Sequence, residues 1–151
     1  MTWYNKVTSD LANLPDFIAY YENELLDAKK DCKIFGNMEK CVAALPGITE
    51  HRFNQLQEIE AVLNYMNIQL RKMRSQLFKK YLENYNRALS SRDAEKYVDG
   101  EDSITDYESL LNMVALIRNR YLGILKGLEA KSFSSGHLVR LKTSGMEDFT
   151  I

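Results

Sequence analysis

Turn-forming residues are scarce in this chain: its 151 residues include seven glycines and only two prolines, Pro15 and Pro46. That leaves little turn chemistry for a single domain's length of sequence. Long apolar runs are also missing, and nothing approaches the roughly 20 uninterrupted apolar residues of a membrane-spanning helix. With 45% hydrophobic residues the chain is nevertheless too apolar to be wholly disordered. Cysteine is limited to Cys32 and Cys41, nine apart with no histidine near either, which excludes the closely spaced ligand pairs of a zinc site and reads as packing. The start, Met1 to Lys6, lacks a basic segment followed by an apolar core, so the expectation is a cytoplasmic protein with reduced thiols.

Catalytic signatures are absent as well. His51 and His137 lie far apart, no phosphate-binding loop ending in Gly-Lys-Ser/Thr is present, and no two glycines form the Gly-x-Gly of a dinucleotide site. The expectation is a protein that is not an enzyme and takes no cofactor. Asp99, Glu101, Asp102 and Asp106 supply oxygen ligands at short spacing of the kind a hard cation needs, but carboxylates at a helix start serve the helix dipole without any metal.

What the chain has in abundance is helical periodicity. Leu56, Leu63, Leu70 and Leu77 recur every seven residues, with Ile59, Met66 and Met73 three after the first three of them. This seam predicts a coiled-coil or helical-bundle contact through which copies of the chain associate. Thr49, following Pro46-Gly47, reads as the N-cap of a helix running to about Leu89, and a short helix from Asn37 to Ala44 is expected to stop at Pro46. Ser103 with Asp106 reads as the capping pair of a second long helix carrying Ile104, Tyr107, Leu111, Val114, Tyr121, Leu125 and Leu128. On that helix Gly123 and Gly127 suggest close approach by another backbone. Near the N-terminus, Pro15 opens a helix with Ile18, Tyr21 and Leu25 on one face. The fold class is therefore all-α, divided into a helical N-terminal extension (1–44), a helical oligomerisation and binding domain (45–141) and a flexible tail (142–151).

The net charge of −1 conceals blocks of one sign. Between residues 69 and 92, Arg71, Lys72, Arg74, Lys79, Lys80, Arg87 and Arg92 face the single acid Glu83, and residues 93 to 111 then reverse the balance with seven acids against Lys96. Phe78, Tyr81 and Tyr85 are interleaved with the cations. Cations for a phosphate backbone beside flat rings for unpaired bases are what single-stranded nucleic acid requires. The other reading is a solvated polar face opposite a core stripe, with the tyrosines buried. A second basic set, Arg118, Arg120, Lys126, Lys131 and Arg140, adds to the surface if the two long helices lie side by side.

The segment Leu77-Phe-Lys-Lys-Tyr-Leu-Glu-Asn-Tyr85, the acidic linker Lys96 to Asp102 and the stretch Leu125 to Leu141 together resemble the UvsY-type recombination mediators of T-even-like phages. The resemblance covers roughly residues 45 to 141. The family's positive-x-positive-Leu element maps onto Lys79-Lys80-Tyr81-Leu82, with Tyr81 in place of the second cation and Lys80 one position away, about 100° around a helix. It implies a wholly helical, ring-forming homo-oligomer in the bacterial host's cytoplasm. Such a protein binds single-stranded DNA and helps load a RecA-like recombinase onto strands held by a single-strand-binding protein. The contrasting class is a helical adaptor or inhibitor that acts on another protein and binds no nucleic acid. The closing Glu147-Asp148-Phe149-Thr150-Ile151 mixes acidic and apolar residues in a way that suits docking on a basic-rimmed partner or simple disorder.

Overall fold

The computed structural model describes residues 1–84 and 89–145, and these are helical almost throughout, with no strand among them. In chain order the helices are α1 (Trp3–Ser9), α2 (Leu14–Asp31), α3 (Met38–Asn84), α4 (Ser91–Asp99) and α5 (Asp102–Thr143), with a 3₁₀ turn at Leu11–Asn13. None of the helices is long and apolar enough to cross a membrane.

The two long helices form the frame. Tyr107 donates to the Met66 carbonyl (3.0 Å) and Tyr121 to Gln55 Oε1 (3.1 Å), so α3 falls in number as α5 rises and the pair is antiparallel. On one side of this pair lies α2, antiparallel to α3, with Tyr21 donating to Glu58 (2.6 Å) and Asp31 meeting Arg52. α1 pins the corner: Thr2 caps it by accepting from Asn5 N, Tyr65 donates to the Thr8 carbonyl, and Trp3 packs edge-on to Phe17.

The core is one continuous cluster drawn from α1, α2, α3 and α5, including Val7, Phe17, Tyr21, Ile59, Met66, Val114, Ile117 and Tyr121. α1 and α2 thus contribute directly to the core, and the boundary expected at residue 44 falls inside α3. The seam expected to join copies is also used within the chain. Leu56, Ile59, Leu63 and Met66 are buried, and Leu70 and Met73 are packed against the same cluster, so only the end of the stripe at Leu77 lies outside it. A heptad pattern marks the buried stripe of a helix without saying whether the neighbouring helix belongs to the same chain.

Several helix boundaries differ from the sequence expectation. α3 starts at Met38, where Asn37 Oδ1 accepts from Lys40 N (3.2 Å), and runs through Pro46 and Gly47. Proline costs the bond to the carbonyl four residues back, here that of Val42, a surface residue. Burial of Leu45 and the partial burial of Ile48 keep the helix going. Thr49 is not a cap, since its hydroxyl donates back to the Leu45 carbonyl (2.9 Å). α5 begins at Asp102, after Glu101 at the N-cap position with no side-chain cap bond, which places Ser103 in the first turn. The stretch read as an acidic linker, Lys96 to Asp102, begins within α4, a helix opened by Ser90, whose hydroxyl accepts from Asp93 N (3.2 Å). Leu89 lies outside any helix, and α5 extends past residue 141 to Thr143. Gly127 is explained by a thiol instead of a backbone: a Cβ there would sit 2.9 Å from Cys32 Sγ, which donates to the Ile124 carbonyl, while a Cβ at Gly123 would meet nothing.

A polar network crosses the middle of the bundle. Arg52, 6% exposed, is held by Glu24 (2.9 Å) and Asp31 (2.7 Å) and donates to Gln55 Oε1, while Gln55 Nε2 donates to Glu24. The Gln55 hydrogen bond, assisted by Arg52, holds the Glu24 carboxyl below its ordinary value against the opposing effect of burial. Burial pushes the phenols of Tyr21 and Tyr121 well up, and that of Tyr107 to about 12. Nearly every member of the network is paired, as burial at low dielectric demands.

Candidate nucleic-acid interface

The last four turns of α3 extend beyond the stretch that α2 covers, and the basic block lies there. Arg71, Lys72, Lys79 and Lys80 are exposed. At about 100° per residue, Lys72 and Lys79 fall within about 20° of one line along the helix, Arg71 lies about 80° to one side of Lys79, and Lys80 about 100° to the other. Lys79 is 73% exposed and has Glu83 at 4.0 Å, one turn on. Among the described residues, Arg71, Lys72 and Lys80 form no ion pair.

Arg74 behaves differently. It turns toward α4 and α5, where its guanidinium pairs with Asp99 and, at 3.4 Å, with Glu108. Tyr81 is half-buried, donates to Glu101 and stacks on Tyr97 with ring centroids 5.5 Å apart. Phe78 lines a cavity of about 310 Å³ together with Arg74 and Ser75 of α3 and Glu95, Val98 and Asp99 of α4. Arg92 is exposed in the first turn of α4, and Tyr85 and Arg87 lie outside the described residues. The acids Asp99, Glu101 and Glu108 therefore meet α3 side chains, and among the described residues no three His, Cys, Asp or Glu side chains are placed to hold a metal ion.

The second basic set does not join this surface. Because the long helices are antiparallel and Tyr121 stands level with Gln55, Arg118 and Arg120 lie about 21 and 24 Å along α3 from Lys72. Lys126 and Arg140 are farther still, and Lys131 is buried, donating to the Asp31 carbonyl at 2.7 Å. Sequence reasoning missed Tyr97, Glu101 and Glu108 as neighbours of the basic block. The signal for the first was available in Ser90 and Asp93 followed by Ala94 and Val98 at helical spacing, the pattern of a short capped amphipathic helix.

At the opposite end of the frame, on the side away from α2, an open groove of about 1000 Å³ runs between the start of α3 and the end of α5. Val42, Leu45, Phe53, Leu125, Leu128 and Val139 line it, with Phe53 half exposed and Glu50 and Glu129 on its walls. Ser135 beside it is buried with an unpartnered hydroxyl. Comparison of the chain with protein-family models, curated proteins and solved structures finds no match.

Proposed function

We propose that this protein is a non-enzymatic single-stranded DNA-binding factor, a recombination mediator that helps load a RecA-like recombinase in place of single-strand-binding protein. The supporting observation is the row of exposed cations, Arg71, Lys72, Lys79 and Lys80, on a stretch of α3 that no other described helix covers on its outer side. Lys72 and Lys79 share one line and Arg71 adjoins it, so these cations can engage successive phosphates and release their counterions, while Lys80 lies around the helix on the side of Ser103. Phe78 lines the cavity between α3 and α4, and Tyr81 stacks on Tyr97 there, so the aromatic surface lies on the Arg74 side of α3 and not along the Lys72–Lys79 line. The restriction to single strands, the recombinase and the single-strand-binding protein come from the UvsY-type resemblance of residues 45 to 141.

Assembly of copies would repeat the row and raise the number of phosphates engaged. The buried part of the heptad stripe cannot serve that assembly, which leaves exposed apolar residues such as Ile68, Met113, Leu116 and Leu122 as the available surface. Mass in solution with and without a single-stranded oligonucleotide tests assembly and ligand together. Fluorescence anisotropy with a labelled oligothymidylate tests the surface: Lys72→Ala with Lys79→Ala is expected to weaken binding while helix content stays as in the wild type, and unchanged affinity contradicts the reading.

A second reading, a helical adaptor, is favoured by the groove at the other end. Its apolar floor, with Glu50, Glu129 and Arg140 at its edges, suits an amphipathic partner helix whose apolar face lies in the groove. Failure of every oligonucleotide to bind, together with capture of such a helix that is lost in Phe53→Asp, selects the adaptor.

A further inference from the structure

One member of the basic block is withheld from the surface by the chain's own acids. Arg74 is 34% exposed and points to the side where α4 and the start of α5 pack, with Asp99 on one nitrogen and Glu108 on another. Two carboxylates around one guanidinium leave that place net negative, at the edge of a row of cations. A carboxylate and a phosphate address the guanidinium fork with the same oxygen geometry, so the two acids occupy the positions that phosphate oxygens would take. The element carrying Asp99 is slight: α4 has nine residues and buries only Ala94 and Val98. It is tied down further by Tyr97, which stacks on Tyr81, and just beyond its end by Glu101, which accepts from Tyr81. Beside Arg74 the cavity bounded by Ser75, Phe78, Glu95 and Val98 already separates part of α4 from α3.

We propose that the α4–α5 junction is an internal anion plug. Asp99 and Glu108 stand in for phosphate on Arg74, and a bound polyanionic strand displaces them, so that Arg74 joins Arg71, Lys72 and Lys79 in gripping it. The proposal rests on the polyanion reading of the basic row and describes its regulation: the chain's own acids raise the threshold for binding, and only a ligand with several phosphates meets it.

The test compares labelled oligothymidylate binding by the full chain and by Asp99→Asn with Glu108→Gln. The variant is expected to bind about five- to tenfold more tightly at moderate salt, with a log affinity against log salt slope steeper by roughly 0.7, the value for one more phosphate on a single strand. Adding Arg74→Ala to that variant is expected to abolish the gain, whereas Arg74→Ala in the wild type changes little. A control, Asp102→Asn with Asp106→Asn, makes the same change in net charge at exposed sites without touching Arg74. Equal gains in the control and the test variant overturn the plug in favour of a general charge effect, as does a gain that survives Arg74→Ala. Hydrogen exchange on the unmodified protein covers the case in which the variant misfolds. Amides of α4 are expected to lose protection when oligonucleotide is added, and unchanged or increased protection overturns the plug. If the wild type and the variant both fail to bind any oligonucleotide, the polyanion reading itself falls and the plug with it, whereas wild-type binding without a variant gain removes the plug alone.

Discussion

Arg52 and Lys72 are both cationic and lie on the same helix, about 30 Å apart along its axis, yet they experience opposite environments. At Arg52 three helices meet, so the charge is buried and held by Glu24, Asp31 and Gln55. At Lys72 the outer side of α3 is bare and the charge stays in water. Arg74 is intermediate, half-exposed with two carboxylates. The difference teaches that what a basic residue does here is decided by how many helices surround it. The middle of the bundle uses cations for cohesion, and the far end of α3 leaves them exposed to solvent.

The sharpest way to break that contrast is to remove one cation from each region. Arg52→Met leaves Glu24 and Asp31 without their partner and is expected to lower unfolding free energy by about 3 kcal/mol, toward the low end for broken buried pairs because both carboxylates are partly exposed. Lys72→Met should stay within about 0.5 kcal/mol, as exposed substitutions do. Urea unfolding of the two variants measures both, and equal effects would erase the distinction. The lowered Glu24 pKa adds an acid signature: its stabilising contribution is complete above its ordinary value of 4.5 and disappears as pH falls through the lower folded value, and Arg52→Met weakens that dependence.

Equal in size is the effect in the buried stripe of α3. Ile59→Ala is expected to cost about 3 kcal/mol through the lost side chain and the cavity it leaves. The loss should not depend on protein concentration, since Ile59 packs within one chain. A stability that rises with concentration in the wild type and is selectively lost in Ile59→Ala would return this stripe to an intermolecular role.

The smallest effect falls at Tyr107, which joins α5 to α3 at Met66, about where the two regions meet. Tyr107→Phe should cost about 1 kcal/mol for the lost hydrogen bond. In the wild type the folded phenol titrates near 12, above its ordinary value of 10.0, so its contribution is complete below about pH 10 and is lost as pH rises toward 12. Alkaline unfolding monitored by circular dichroism should therefore begin at higher pH in Tyr107→Phe than in the wild type, once the two are compared relative to their neutral stabilities.

The sequence made the helical class and both long helices legible, because Leu56 to Met66 and Ile104 to Leu128 repeat at helical spacing over many turns. The opening of α2 at Pro15 was equally readable, since proline is tolerated where the first amides have no intrahelical partner. The continuation of α3 through Pro46 was not, because local propensity argues for a stop and only the tertiary burial of Leu45 overrides it. In the same way Thr49 has the side chain of an N-cap, and nothing local reveals that its hydroxyl bonds backward to Leu45. For the basic block, exposure of Lys72 and Lys79 follows from their position opposite the stripe. The capture of Arg74 by Asp99 and Glu108 depends on a packing of α4 and α5 that lies 25 or more residues away in sequence.

The most direct test of the central claim is a salt titration of labelled oligothymidylate binding by the wild type and by Lys72→Ala with Lys79→Ala. Log affinity is expected to fall linearly with log salt at roughly −0.7 per phosphate engaged, and the double substitution should flatten that slope by about 1.4. Salt-independent binding, or the same slope in both proteins, would contradict the assignment of the α3 cations to a polyanion.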